Sequence, residues 1–364
     1  MKTEYIISKD GAEISYSVTG NCNKEALLLM HGSGQRKEVW EQFGWIEALK
    51  KDFTVITMDI RGFGESDKSH DTSFYDIKKI LDDILCVTNA CGFTVFNYFG
   101  HSYGATIGMQ ALANHLPIKK AVLASGAIGD EFFKKDVPLW IEEYTQLNEA
   151  KRRNDYSGLS KEDVKWLQSN DLDNYLAQFR NWATWPGIFI DQIHTPTAIY
   201  TGTHDVEFLQ AFIKENQTAL ANNGIVSNIF KGLKHADLIQ KRETLYPFVS
   251  DFLTQEIIKV KIDRPFGSSH PDYPSMIYPI NYGYVEGILA PDDEGQDVYV
   301  LGINEPIRDF IGKKIAIIHR NDDVEEKWVA CPFGTTYTQS EIEQSIHFQE
   351  QYFDSNIKIL YNNI

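Results

Sequence analysis

Cysteine is scarce in this chain: its 364 residues hold four, Cys22, Cys86, Cys91 and Cys331, and none of them forms a Cys-x-x-Cys pair. That number and spacing exclude a secreted disulfide scaffold and point to reduced thiols filling small apolar niches in a cytoplasmic protein. Positive charge is also in short supply, with 35 Lys and Arg against 51 Asp and Glu and a net charge of −16. A surface of that sign repels phosphate backbones and anionic lipid, so nucleic acid and membrane are poor partners and a small-molecule substrate is favoured. No run approaches the ~18 apolar residues of a membrane helix. Met1 to Gly11 carries charged and polar groups where a signal peptide has its apolar core. The expectation is a soluble cytoplasmic protein, with homo-oligomer formation left open.

What is present suits a globular enzyme: 43% hydrophobic, 13% aromatic and 24% charged residues, in a chain long enough for two domains. Two short alternating segments, Glu4 to Ser8 and Ala12 to Val18, flank Asp10-Gly11 and predict a β-hairpin. Apolar runs then recur at Ala26 to Met30, Phe53 to Met58, Thr94 to Phe99, Ala121 to Ala124 and Thr197 to Thr201. Helical patterns at Glu38 to Lys50 and Thr72 to Cys91 separate the early ones. Such alternation predicts strands buried on both faces of a doubly wound, mostly parallel α/β sheet.

Residues 128 to 190 break this rhythm with long polar helical patterns carrying Trp140, Trp166, Trp182 and Trp185. They read as an inserted helical lid whose aromatics either line an apolar pocket or pin the lid to the core. Near residue 256 a helical pattern, Leu245 to Leu253, gives way to strand-like stretches rich in Tyr, Ile, Gly and Pro. The expected domains are therefore 1–255 and 257–364. The second is the more acidic, with 9 Lys and Arg against 17 Asp and Glu.

Phe99-Gly100-His101-Ser102-Tyr103-Gly104-Ala105 carries the chemistry of the first domain. This Gly-x-Ser-x-Gly sequence lies between an apolar strand and the helical pattern Ala105 to Asn114. Small residues are needed where a strand turns sharply into a helix, and the turn holds Ser102 exposed at the helix N-terminus. A serine hydroxyl is a weak nucleophile, so it needs a base, and the base needs a partner to fix its tautomer. Asp205, closing the strand that begins at Ala198, and His235, in Gly232-Leu-Lys-His-Ala-Asp after the strand Ser227 to Phe230, follow in the order Ser, acid, His. Asp130, after the preceding strand, is the alternative acid. Asp237 reads as a local helix residue, while His101 and His204 read as pointing away from the chemistry.

Residues 1 to 255 thus resemble the α/β-hydrolase family, with His31-Gly32-Ser33-Gly34 and Asp59-Ile-Arg-Gly-Phe-Gly-Glu-Ser66 as further motifs. The resemblance implies an oxyanion hole from the backbone amides of Ser33 and Tyr103, a structural role for the Arg61 to Ser66 loop, and no cofactor. It implies a serine hydrolase acting on a carboxylic ester through an acyl-enzyme. Dehalogenase and epoxide-hydrolase chemistry, which use an aspartate nucleophile in this family, are disfavoured. Amide, thioester, lactone and carbon–carbon substrates, acyl transfer, and a receptor-like role without turnover remain open.

Residues 257 to 364 contain Ile262-Asp-Arg-Pro-Phe-Gly-Ser, Tyr278-Pro-Ile-Asn-Tyr-Gly-Tyr284, Pro291-Asp-Asp-Glu-Gly-Gln-Asp-Val-Tyr-Val-Leu-Gly302 and Asp322-Asp-Val-Glu-Glu-Lys-Trp328. Together these are similar to a shortened soluble inorganic pyrophosphatase, a small β-barrel family. The resemblance implies Mg²⁺ on Asp292, Glu294, Asp297 and Glu325, and phosphate or diphosphate on Arg264, Tyr282, Lys327 and Tyr352. This chain departs from that family at Asp292-Asp-Glu-Gly-Gln-Asp297 and at Tyr352-Phe353, and it lacks the first strands. A docking or oligomerisation module with a solvated acidic face is the competing expectation.

Overall fold

The computed structural model describes residues 2–21, 23–271, 273–290, 294–321 and 326–360, with Glu286 described by its backbone alone. The chain divides into two compact units, the first made of Met1–Glu215 and Asn228–Arg242, the second of Asn216–Ser227 and Glu243–Ile364.

Eight strands build the sheet of the first unit: β1 (Glu4–Ile7), β2 (Glu13–Thr19), β3 (Ala26–Met30), β4 (Thr54–Met58), β5 (Phe96–His101), β6 (Ile118–Ala124), β7 (Thr197–His204) and β8 (Ile225–Lys234). They lie side by side in the order β1-β2-β4-β3-β5-β6-β7-β8. The first two strands form the expected antiparallel hairpin, and β4, β3, β5, β6 and β7 run parallel. Every residue of β3, β4 and β5 is buried, which is why these strands read as unbroken apolar runs. This is the α/β-hydrolase arrangement, a doubly wound sheet whose chemistry gathers at the carboxyl ends of its parallel strands.

Two helices differ in detail from the sequence pattern. The Glu38 to Lys50 pattern forms two short helices, Val39–Gln42 and Trp45–Leu49, because Gly44 between them takes the left-handed conformation with φ 74°. The Thr72 to Cys91 pattern is split at Asp76. Its extended backbone ends a 3₁₀ turn, and its carboxylate caps the helix Ile77–Ala90 through the amide of Lys78. The inserted segment carries helices Val137–Arg153, Lys161–Ser169 and Leu172–Trp182, entered through a π-helical turn at Phe132–Asp136.

A buried ion cluster ties the loop after β3 to the loop after β4. The Lys37 ammonium donates to Asp59 Oδ2 at 3.0 Å, Glu65 Oε2 at 2.7 Å and Ser15 Oγ at 3.3 Å. The Lys37 amide donates to Asp59 Oδ1 at 2.7 Å. Burial pushes the Asp59 carboxyl upward, but the Glu65 amide, the Ser15 hydroxyl, nearby His31 and the Lys37 amide outweigh it, so the group stays below the usual carboxylate range. Arg61 is likewise buried, forked onto Asp83 and Asp10 and bonded to the Phe74 carbonyl. The Arg61 to Ser66 loop therefore packs as a buttress.

The second unit contains helices Gln217–Asn222 and Arg242–Thr254, then β9 (Ile257–Arg264), β10 (Asn281–Leu289), β11 (Gly295–Val300), β12 (Asp309–Arg320), β13 (Glu326–Cys331), the helix Gln339–Glu350 and β14 (Ser355–Ile359). The strand order is β13-β11-β10-β9-β12-β14, and β13 also pairs with β12, so the hydrogen bonding runs back on itself through five strands. One buried cluster gathers Tyr278, Tyr282, Tyr299, Ile315, Ile318 and Val329 with Ile342 and Ile346 of the helix; another gathers Ile258, Val260, Val285, Val298, Val300 and Phe310.

Replacing Lys37 with Met leaves the Asp59 carboxylate buried without its main counter-charge. This is expected to cost about 3 kcal/mol of stability, read as a lowered urea midpoint at neutral pH. A loss below about 1 kcal/mol would show that the cluster relaxes into water instead of holding the two loops.

Candidate active site

The turn between β5 and the helix Tyr103–Ala113 is as sharp as the glycine pattern requires. Ser102 sits at φ 55° and ψ −113°, a conformation that L-residues avoid. A Cβ on Gly100 would lie 2.5 Å from the Gly104 carbonyl, and one on Gly104 would lie 2.2 Å from the Met30 carbonyl oxygen. Two backbone bonds hold the turn: the Ser102 amide donates to Ala124 O at 2.8 Å and the Gly104 amide to His31 O at 3.0 Å. The Tyr98 hydroxyl adds a bond to Gly104 O at 2.5 Å.

Three side chains converge on this point from separate strand ends. His235 Nε2 lies 3.0 Å from Ser102 Oγ, and His235 Nδ1 lies 2.8 Å from Asp205 Oδ1. A carboxylate on Nδ1 fixes the proton there and leaves Nε2 to accept from the serine hydroxyl. The Asp205 side chain is fully buried while that of His235 is 45% exposed, so the carboxylate is sealed and the imidazole faces the cavity. Burial alone would push the Asp205 carboxyl up. His235, Ser125 and the Val206 amide outweigh it and bring it down to about 2, with a further bond from Thr201 Oγ1 at 2.8 Å.

The rival residues lie elsewhere. Asp130 is paired with Lys134 at the start of the lid. Asp237 accepts the Lys234 amide at 2.9 Å, and His204 points to solvent. His101 is buried, its Nε2 3.2 Å from the His235 carbonyl, and burial followed by the nearby His235 pushes its imidazole down to about 3. It is therefore neutral at working pH and holds the backbone of His235 instead of competing as a base.

The loop after β3 abuts the serine. A Cβ on Gly32 would lie 3.2 Å from Ser102 Cβ, and Gly34 turns the loop at φ 74°. Buried His31 donates from Nδ1 to Gly32 O at 2.8 Å and accepts the Ile60 amide on Nε2 at 3.1 Å, which locks the loop. Ser33 and Tyr103 both line the cavity beside Ser102. As the first residue of its helix, Tyr103 has an amide with no intrahelical acceptor, at the positive end of the dipole.

That cavity has a volume of about 730 Å³ and an aromatic wall of Tyr103, Phe132, Trp140, Trp182 and Phe208. The lid tryptophans divide between the two roles. Trp140 and Trp182 line the cavity, while Trp166 packs on Tyr144 and Tyr175, and buried Trp185 stacks on Tyr103.

Sequence reasoning missed Ser125, directly after β6. It too has a left-handed backbone, φ 54°, held by its amide donating to Tyr200 O at 2.8 Å. Its Oγ lies 3.3 Å from His235 Nδ1 and bonds Asp205. The available signal was its place at the carboxyl end of a central strand, where functional groups of such sheets collect.

The second unit brings together four of its candidates, Arg264, Tyr282, Asp297 and Lys327. Lys327 Nζ bonds Asp297 Oδ2 at 2.5 Å and Tyr282 Oη at 2.6 Å, and Arg264 pairs with its neighbour Asp263 at 2.9 Å. Tyr282 faces Arg264 across the β9–β10 pairing. Glu294 is exposed, as is Tyr352 at 67%, and Asp292 and Glu325 lie outside the described residues. Among the described residues no group of three His, Cys, Asp or Glu gathers to hold a metal.

The strained elbow yields a stability test. Ser102→Gly and Ser102→Ala both remove the hydroxyl, but only glycine is at ease at φ 55°. Ser102→Gly is expected to be the more stable by about 1 kcal/mol in urea unfolding. Equal stability, or a more stable Ala variant, would show that the turn stores no strain.

Known proteins share the fold of the first unit. Residues 25–165 match the family model of the α/β hydrolase fold. The chain is 29% identical over 107 residues to mouse Epoxide hydrolase 4, covering 28% of each chain. It is 22% identical over 268 residues to mouse Epoxide hydrolase 3, covering 63% of this chain and 70% of the relative. The first of these matches thus spans little more than a quarter of the relative's length. Among solved structures, one from work on carboxylesterases of Nitrososphaera gargenis superposes with TM-score 0.55 at 18% identity, covering 69% of this chain and 97% of its own. The enol-lactonase from Burkholderia xenovorans LB400 does so with TM-score 0.52 at 20% identity, covering 69% and 100%. The sheet order, the elbow, the family match over residues 25–165 and these neighbours together show that the first unit has the α/β-hydrolase fold.

Proposed function

We propose that the first unit is a serine hydrolase that cleaves a carboxylic ester through an acyl-enzyme on Ser102. The observation that carries this reading is the unbroken chain from Ser102 Oγ through His235 to sealed Asp205, opening into an aromatic cavity. His235 Nε2 takes the hydroxyl proton as Oγ attacks the carbonyl carbon, and the amides of Ser33 and Tyr103 receive the negative charge on the carbonyl oxygen. Collapse expels the alcohol, which His235 protonates. Water, deprotonated by the same imidazole, then returns the acid and free Ser102.

Chemistry separates this reading from the epoxide hydrolases among the relatives. Attack of a serine oxygen on an epoxide carbon would leave an alkyl ether, which has no carbonyl for water to attack, so the enzyme would stop after one event. An acyl ester on the same oxygen turns over. The nucleophile position of this chain therefore favours acyl substrates, whatever the relatives act on.

For the second unit we propose a structural role for the Lys327, Asp297 and Tyr282 set. The Lys327 ammonium is buried against a carboxylate and a phenol, which leaves a phosphate to compete with an ion pair already made. Asp297, one of the carboxylates matched to a Mg²⁺ ligand, spends an oxygen on that pair. The full chain with Mg²⁺ and pyrophosphate is expected to release no phosphate above background. Release that disappears in Asp297→Ala would restore the diphosphatase reading.

Short- and medium-chain nitrophenyl esters test the first unit. Turnover is expected in the parent and a fall of at least about 10³-fold in Ser102→Ala and in His235→Ala. An inert parent, or variants that match it, would remove the reading. Ser125→Ala takes one donor from the Asp205 and His235 pair and is expected to lower kcat by about tenfold with KM little changed. An unchanged kcat would reduce Ser125 to a packing residue.

A further inference from the structure

The cavity above Ser102 carries a charge pattern that the esterase reading does not explain. Its wall is a continuous aromatic surface: Phe132 lies 5.2 Å from Trp140, 6.3 Å from Trp182 and 6.3 Å from Phe208 between ring centroids, and Trp182 lies 4.3 Å from Tyr103. The charged residues on the same lining are three carboxylates, Glu131, Asp136 and Glu207, and a single ammonium, Lys135. Glu131 and Lys135 pair with each other one helical turn apart. Asp136 and Glu207 therefore leave this wall with two net negative charges, on a protein whose own net charge is −16.

These two features attract the same chemistry. Aromatic faces carry negative quadrupoles that hold ammonium groups, and several rings together favour a bulky alkylammonium over a compact hydrated ion. Carboxylates beside the rings add a Coulomb attraction for that cation and repel a substrate carboxylate. A cavity built for an anionic acyl group would instead bring arginine or an unpaired lysine to its wall; among the described lining residues the one cation is already matched by Glu131.

We propose that this cavity selects cationic substrates, esters bearing an ammonium group that sits against the aromatic wall near Asp136 and Glu207 while the ester carbonyl reaches Ser102. The ester bond rests on the reading of Ser102 given above, and the charge preference rests on the wall alone.

Both parts can be measured on the full chain. Quenching of tryptophan fluorescence follows binding of phenyltrimethylammonium, of its neutral isostere tert-butylbenzene, and of benzenesulfonate as the anion. The cation is expected to bind about tenfold more tightly than the neutral isostere, and the anion more weakly than either. The preference should shrink as NaCl approaches about 1 M, because the carboxylates are at the rim. In Asp136→Asn/Glu207→Gln the ratio of neutral to cation Kd should fall at least about threefold. That ratio is taken within one protein, so it is insensitive to the fraction folded. Equal affinity for cation and isostere in the parent, or an unchanged ratio in the double variant, overturns the proposal. Hydrolysis of a neutral nitrophenyl ester in parallel keeps the two readings apart. Turnover without charge preference sinks the cationic pocket alone, whereas charge preference without turnover sinks the esterase alone.

Discussion

Everything at the site depends on a backbone that few residues tolerate. Ser102 is held at φ 55° between a buried strand and a helix that begins at the next residue. It stays there because Ala124 O, His31 O and the Tyr98 hydroxyl clamp the turn from three directions. Those three clamps come from β6, the loop after β3 and β5, so the central sheet must be assembled before the serine can take its position. The strain, of order 1–3 kcal/mol for such a conformation, is the cost of presenting Oγ to His235 and to the cavity instead of to the protein interior.

The same logic extends outward through buried charge. The loop that brings Ser33 to the cavity beside Ser102 is anchored by His31 at one end and, a few residues on, by Lys37 in its carboxylate cluster. Asp59 in turn fixes the β4 loop, and Gly64 is indispensable there because a Cβ would lie 2.2 Å from Asp59 Cγ. Asp205 is sealed by Thr201, the Val206 amide, Ser125 and His235. Ser102 thus rests on buried, hydrogen-bonded groups and faces a cavity lined by Phe132, Trp140 and Trp182 of the inserted segment.

Much of this was legible in the residues. β3 has the bounds its apolar run predicts, and Ser102, Asp205 and His235, singled out by short motifs with strong steric demands and by their chain order, come within hydrogen-bonding distance of one another. What escaped depends on contacts distant in sequence. Lys37 lies in the polar string Gln35-Arg-Lys-Glu38 and reads as surface, yet it is fully buried by a partner 22 residues away. Ser125 reads as an ordinary loop residue, and only the convergence of β6 with β7 gives it Asp205. Trp140 and Trp182 could not be told from Trp166 and Trp185, since helical spacing does not say which face meets the cavity. In the second unit, residues matching a phosphate-binding pattern sit next to one another in the sheet, but pairing them revealed Lys327 bound to Asp297 and Tyr282, an arrangement no linear pattern displays.

Covalent capture would show whether Ser102 Oγ is the nucleophile. The protein would be treated with a fluorophosphonate, and the labelled peptide located by mass spectrometry in the parent and in His235→Ala. One adduct per chain is expected, on Ser102, formed in the parent and suppressed in His235→Ala. An adduct on another residue, labelling indifferent to His235, or no adduct on a folded parent would contradict it.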